Sequence, residues 1–257
     1  MIEIIKLTLK EAKREKGFYA GLILLFLSLI CYFIVESFAM FEPEKVMAVY
    51  ALSSVEGLTI ILLFFLIFSF LSQDLNKKGI EYMLTLPIKR RDYILGRFFG
   101  INISVFILAI ISTFIYMLLH LLMFGVCPFA FLIQLILLMA LVLMLSSLPF
   151  LLITASKRPT LIAFLVFFIY VIGINLDDAV RFLSTRHGRE IPVVSRALLK
   201  ISYYIFPNFS FFDVKIPIAY KLSFSTMHII FALLYGILYT FFILLFSIML
   251  FQNKEIK

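Results

Sequence analysis

The chain is organised by long stretches that contain no Asp, Glu, Lys or Arg, separated by shorter charged segments. A membrane core of about 30 Å is crossed by about 20 helical residues, and most of these stretches suit one crossing. The stretch 98–156 is long enough for two, and Gly125-Val126-Cys127-Pro128 predicts the turn between them. The apolar residues run continuously and do not alternate, which favours helices over a membrane barrel. The pattern predicts six spans, near residues 18–40, 51–73, 98–123, 130–153, 160–176 and 227–251.

Composition agrees with this all-α, polytopic membrane protein, which we expect to form a single domain over residues 1–257. Hydrophobic residues make up 63% of the chain and charged residues 15%, against about 25% charged residues in soluble domains. Such a chain cannot cover itself with a polar surface, which excludes a soluble monomer and a disordered protein.

Charge predicts the orientation of the spans. The net charge of +8 could indicate a nucleic-acid partner, but the basic residues flank apolar runs, so membrane orientation is the better interpretation and no nucleic acid is expected. With the N-terminus inside, 15 of the 23 Lys and Arg residues lie in inner segments. We therefore expect a multi-pass protein of the cell membrane with both termini in the cytoplasm. The long outer segment 177–221 is itself basic, and long segments follow this rule less strictly.

Residues 1–17 alternate charge and apolarity with helical spacing. Ile2, Ile5, Leu9 and Ala12 share one face of the predicted helix, and basic residues cover the rest. The pattern predicts an amphipathic helix in the cytoplasmic interface before the first span. It would act as an orientation signal and surface anchor, or it would bind a partner.

The inner segment 74–97 contains a second amphipathic pattern. Ile80, Met83, Leu84 and Pro87 fall at helical spacing, and Pro87 is expected to end the short helix. A connector between two spans has no need of an apolar edge, so we interpret this helix as a docking element. The alternative is a helix that rests on lipid headgroups, against which Glu81 at its centre argues.

Residues 79–97 resemble the cytoplasmic coupling segment of type-2 ATP-binding-cassette (ABC) permeases. The match is Gly-x-Glu-x-Met-Leu-x-x-Pro-x-x-Arg-x-x-x-x-x-Gly-Arg. The family typically shows Gly-Thr-Leu-Glu, Leu-Leu, Pro, Ser-Arg and Gly-Lys, so Ile80, Lys89 and Arg97 depart from its pattern and the glutamate is one position early. The six spans and the Tyr-Tyr-x-x-Pro-Asn segment at residues 203–208 extend the resemblance over most of the chain.

The resemblance implies a permease subunit, most often of an exporter, that pairs with a second permease subunit, identical or different. A separate cytoplasmic ABC ATPase would bind ATP and Mg²⁺, and this chain would bind no cofactor. Met83 and Leu84 would supply the apolar docking contact and Glu81 a polar one. The complete set expected to couple to the ATPase is Gly79, Ile80, Glu81, Met83, Leu84 and Pro87.

The outer segment 177–221 predicts a further helix, which starts at Pro192 and ends at Pro207. Its apolar residues share one face, with Arg196 and Lys200 opposite, so we expect it to pack in the outer interface. The resemblance implies an alternative, an outer gate or release lid.

Two acids lie near the predicted outer ends of spans one and two. Glu36 and Glu56 either extend towards the interface or line an outer vestibule or substrate path, paired with Arg181, Arg186 or Arg189. The other polar residues of the spans are isolated, and interhelical hydrogen bonds explain them better than substrate contacts. They are His120, Asn102, Gln134, Asn175 and His228.

No catalytic or metal motif is present in the sequence. GxxxxGK[ST], HExxH and G-x-S-x-G are all absent, and no two histidines have metal-ligand spacing. The chain is therefore not expected to be an enzyme or to bind a metal. The alternatives to a permease are a non-transporting scaffold or immunity-type protein, and an ATPase-independent channel or membrane enzyme.

Overall fold

The computed structural model describes residues 1–75, 90–154, 156, 158–184, 192–222 and 225–253. All regular secondary structure in these ranges is helical, which confirms the predicted all-α fold. The helices are α1 (Ile2–Arg14), α2 (Lys16–Phe38), α3 (Pro43–Asp74), α4 (Arg90–Phe124), α5 (Phe131–Leu152), α6 (Pro159–Ser184), α7 (Val193–Ile205), α8 (Lys215–Ala219) and α9 (Thr226–Asn253), with a 3₁₀ turn at Ser210–Phe212.

The six predicted spans are confirmed as six helices long and apolar enough to cross a membrane: α2, α3, α4, α5, α6 and α9. Gly125 adopts a positive φ of 69° between α4 and α5, so the predicted turn is also present. Helix α3 begins at Pro43 and α6 ends at Ser184, each about two turns beyond the predicted boundary. The predicted boundaries come from stretches without charged residues. The helices themselves continue through charged positions, which are Glu44, Lys45, Asp177 and Asp178.

Helices α3 and α5 form the centre of the bundle. Most of the apolar residues in these two helices are buried, whereas those of α2, α6 and α9 mostly face outward. In a membrane, the outward faces contact lipid, and helical backbone satisfies its own hydrogen bonds there.

Helix α1 packs along the first turns of α4 through Ile4, Thr8 and Ala12, all buried. Ile2 of the predicted apolar face is 66% exposed, and Ile5 and Leu9 are half-buried. The amphipathic helix is therefore present, but the face that packs on protein is rotated from the face that apolar spacing predicts. Small Thr8 and Ala12 sit against α4 because they permit close helix contact, a preference that hydrophobicity alone does not reveal.

Candidate functional site

The residues predicted to couple to an ATPase lie outside the described residues. Gly79, Ile80, Glu81, Met83, Leu84 and Pro87 all fall within residues 76–89. The structure does describe the two helix ends that border this segment, the last turn of α3 and the first turns of α4.

Two glycines of α4 allow α1 to approach closely. A Cβ atom on Gly96 would lie 2.7 Å from the Ile4 side chain, and one on Gly100 would lie 2.5 Å from Cβ of Thr8. Contacts advance along both helices together, so α1 and α4 run in the same direction where they touch. The glycines are four residues apart and form the small-residue stripe that brings membrane helices together.

Arg97 is the centre of a buried ion-pair cluster at this junction. Its side chain is 7% exposed, and it donates to Asp74 Oδ1 at the end of α3 over 2.8 Å. A second guanidinium nitrogen donates to the Glu11 carboxylate of α1. We call Arg97, Asp74 and Glu11 the Arg97 cluster.

Neutral groups complete the surroundings of the guanidinium. Arg97 Nε donates to the Tyr93 hydroxyl over 3.3 Å, and Nη1 donates to Thr8 Oγ1 over 3.3 Å. The Phe70 ring lies 4.9 Å from the guanidinium carbon, a cation–π distance. The planar guanidinium group of arginine bonds to side chains of α1, α3 and α4 at the same time. The compact ammonium group of lysine does not reproduce this geometry.

The Arg97 cluster connects the two ends of segment 76–89. Asp74 lies just before this segment and Arg97 lies two turns into the helix that follows it, so their ion pair holds α3 and α4 together next to the segment. Glu11 adds α1 to the same unit. One buried side chain therefore joins three helices next to this segment.

A second cluster lies around residues 209–219, which we call the inserted segment. Phe209, Phe212 and Val214 are at most 2% exposed, although the sequence predicts only an outer connector here. Gly173 of α6 accommodates it: Phe209 N–H donates to the Gly173 carbonyl over 3.1 Å, and a Cβ on Gly173 would lie 2.3 Å from the Pro207 oxygen.

Gln134 of α5 holds the backbone of the inserted segment. Its Oε1 accepts from Val214 N–H over 3.1 Å, and its Nε2 donates to the Phe212 carbonyl over 3.3 Å. Where backbone buried in a membrane protein is not part of a regular helix, its N–H and C=O groups need other hydrogen-bond partners. A buried peptide group without a partner carries a large free-energy penalty. Gln134 is 3% exposed and supplies one donor and one acceptor.

Glu56 of α3 pairs with Lys215 of α8. Lys215 Nζ donates to Glu56 Oε2 over 2.6 Å and lies 3.3 Å from Asp213 Oδ2. We call Glu56, Lys215 and Asp213 the Glu56 cluster.

This partner differs from the predicted arginines. Arg181 pairs with Asp177 of its own helix over 2.8 Å, and Arg186 and Arg189 lie outside the described residues. Glu56 is 6% exposed and more than three turns from the start of α3, much deeper than predicted. Glu36, in contrast, is exposed in the last turn of α2, so the two acids have different environments.

Asn208, which ends the Tyr-Tyr-x-x-Pro-Asn segment, shapes the turn into the inserted segment. Its Oδ1 accepts from both the backbone and the hydroxyl of Ser210, at 3.0 and 2.7 Å. Its backbone N–H donates to the Tyr235 hydroxyl of α9 over 3.1 Å. These contacts give this part of the motif a structural role.

The isolated polar residues differ in their contacts. Asn102 forms the predicted interhelical bond, because Ser146 Oγ of α5 donates to its Oδ1 over 3.0 Å. Asn175 instead donates within its own helix to Val171. His120 is 2% exposed with Nδ1 unpaired, and His228 contacts the Phe211 carbonyl over 3.0 Å.

Sequence reasoning missed the contacts of Arg97 and Lys215, but signals for both were present. Gly96 and Gly100 form a small-residue pair beside Arg97, which predicts close packing with another helix. Residues 205–219 are strongly apolar for a connector and contain two prolines, a composition typical of backbone that inserts without forming a full span.

Comparison with known proteins is consistent with these observations. No curated protein matches the chain at a significant level. Residues 16–186, two thirds of the chain, match the family described as ABC-2 family transporter protein. This range contains five of the six candidate spans and segment 76–89. The chain is a multi-pass membrane permease and belongs to the ABC-2 transporter family.

Proposed function

We propose that this chain is the membrane-spanning subunit of an ABC exporter and that a separate ATPase docks on residues 79–87. ATP and Mg²⁺ bind to that partner, and two permease subunits, identical or different, enclose the substrate path. The chain itself catalyses no reaction. Segment 76–89 faces the cytoplasm, with both termini on the same side.

The observation that supports this proposal best is the Arg97 cluster. A permease driven by an external ATPase needs a stiff connection between the docking segment and its spans. The Asp74–Arg97 ion pair, 2.8 Å long and mostly buried, is suited to this role because it joins the end of α3 to the first turns of α4, on either side of the segment. Nucleotide can shift the spans only if the partner binds two conformations with different affinity.

The first experiment tests docking. The double variant Met83→Asp, Leu84→Asp is expected to lose co-purification of the ATPase, because two carboxylates replace an apolar contact. Its matched control is Met40→Asp, Phe41→Asp, which changes two exposed apolar residues between α2 and α3. Undiminished ATPase binding by the first pair would contradict the proposed docking site.

The second experiment tests the side of the membrane. Cys31 and Cys127 are both free and can be replaced by Ser, after which Asn76→Cys places one thiol at the edge of the segment. In intact cells a membrane-impermeant maleimide should leave this thiol unlabelled and should label it after lysis. Labelling in intact cells would place the segment outside and would contradict the proposal.

The third experiment separates docking from coupling. Arg97→Lys keeps a positive charge but cannot contact Asp74 and Glu11 with the same fork geometry. We expect the ATPase to co-purify normally while transport per ATP hydrolysed falls, as measured with reconstituted vesicles. Normal transport by this variant would show that the Arg97 cluster is not part of the coupling path.

A further inference from the structure

The face of α1 that points away from α4 carries a strip of positive charge. Lys6, Lys10 and Lys13 follow helical spacing on the side opposite the packed residues Ile4 and Thr8. With Arg14 and Lys16, which lie next to them at the end of α1 and the start of α2, they make five exposed cations.

Three acids lie near these cations in the sequence. Glu11 lies on the packed side of α1, where its charge is balanced by Arg97. Glu15 accepts a hydrogen bond from the neutral amide of Gln73 of α3 and keeps its charge. Glu3 is the one exposed carboxylate on α1, so cations outnumber acids on its exposed face.

The position of α1 next to a membrane-spanning helix determines what can cover this surface. A single residue, Glu15, separates α1 from α2, so the strip begins at the end of a span. Ile2 lies one turn before Lys6, on the same side of the helix as Lys13, and is 66% exposed. An apolar residue that flanks a basic strip is typical of a helix in the headgroup layer.

We propose that the basic strip of α1, formed by Lys6, Lys10 and Lys13, binds the headgroups of anionic phospholipids. The charge is complementary, and the strip is attached to the membrane by α2. Each cation near an anionic surface contributes about 1 kcal/mol, which corresponds to about fivefold enrichment of the anionic lipid. This inference does not depend on an ATPase partner, so it can fail or succeed independently of the proposed function.

The absence of tryptophan from the chain permits a local test. Ile2→Trp introduces a single fluorophore beside the strip, in the full-length protein reconstituted into phosphatidylcholine vesicles that contain phosphatidylglycerol. Two samples are compared, with bromine on the acyl chains of either the phosphatidylcholine or the phosphatidylglycerol. Bromine quenches the tryptophan fluorescence only at short range. We expect brominated phosphatidylglycerol to quench several-fold more than its bulk fraction predicts, and salt to reduce the excess.

Two sets of variants then assign the effect to the strip. Lys6→Gln, Lys10→Gln, Lys13→Gln should abolish the excess quenching. The matched control, Lys45→Gln, Lys200→Gln, Lys221→Gln, removes the same charge from other parts of the chain and should retain it. All six side chains are outside the core, and size-exclusion chromatography checks that both proteins remain folded.

Three results would overturn the proposal. Excess quenching that persists in the α1 variant would show that the strip does not recruit lipid. Loss of the excess in the control as well would indicate a response to total charge. An α1 variant that keeps the excess but loses ATPase co-purification would identify the strip as a contact for an acidic protein surface instead.

Discussion

The Arg97 and Glu56 clusters are both buried, and both join helices that are distant in sequence, but they are built differently. The Arg97 cluster consists of side chains that connect complete helices, each of which satisfies its own backbone. The Glu56 cluster accompanies the inserted segment, which is only partly helical and is held by backbone hydrogen bonds to Gln134 and Gly173. The two clusters are separated by about 27 Å along α3, at about 1.5 Å per residue.

This difference indicates which region can move as a unit and which is fixed. Complete helices that are joined by side chains can move together without exposing peptide groups to lipid. A displaced inserted segment would leave peptide groups unpaired at a cost of several kcal/mol in a membrane. The Arg97 cluster is therefore suited to transmit motion, and the inserted segment is suited to keep one position.

The largest effect on stability is expected from Arg97→Met. This change leaves the Asp74 and Glu11 carboxylates without their cation, and removal of one partner from a buried pair costs about 3–5 kcal/mol. The measurement is the free energy of unfolding during titration with a denaturing detergent. Arg158→Met, at an exposed position, is the control and should change it little.

Lys215→Met tests the corresponding ion pair of the inserted segment. We expect a smaller loss, about 2–4 kcal/mol, because Lys215 retains some solvent contact and Asp213 is itself partly exposed. Lys221→Met removes an exposed ion pair with Glu44 and should cost less than about 1 kcal/mol. Equal losses for both variants would show that burial does not distinguish the two pairs.

Gln134→Leu tests the backbone contacts alone. The side chain keeps a similar size, but the Phe212 carbonyl and the Val214 N–H lose their partner, which is expected to cost about 2 kcal/mol. Asn175→Leu is the matched control, because Asn175 is exposed and bonded within its own helix. Protease accessibility of residues 209–219 should increase for Gln134→Leu alone, and unchanged accessibility would argue against its anchoring role.

The smallest effect is expected from Gly100→Ala. The added methyl group would overlap Thr8 of α1, and such overpacking costs about 1–3 kcal/mol, offset by about 1 kcal/mol of improved helix propensity. At Gly57 a Cβ meets nothing within 4 Å, so Gly57→Ala should stabilise α3. The same detergent titration measures the free energy of unfolding of both variants. Stabilisation by Gly100→Ala as well as by Gly57→Ala would show that α1 moves freely to accommodate the methyl group.

Much of the fold followed from local pattern. The six spans, the turn at Gly125 and the helix between Pro192 and Pro207 depend on apolar length and on breaking residues, and all three are present. Glu56 lies farther from the start of its helix than the pattern indicated, because a charge within a helix does not mark where the helix ends, and it pairs with Lys215. A place for Glu56 on a substrate path stays a prediction. The sequence indicated the apolar face of α1 but not the face that packs on α4, because the contacts of Ile4 with Gly96 and of Thr8 with Gly100 depend on close approach and not on hydrophobicity.

The sequence by itself determined that the chain crosses a membrane as helices, since a continuous apolar run has only that way to satisfy its backbone in lipid. It also supplied the resemblance that the family match confirms. Only the tertiary structure decided that Arg97 joins α1, α3 and α4, that Lys215 reaches Glu56, and that Glu11 pairs with Arg97 and not with a cation of its own helix. Each of these contacts depends on distance in space between residues far apart in the chain, and no local pattern of hydrophobicity or charge encodes that distance.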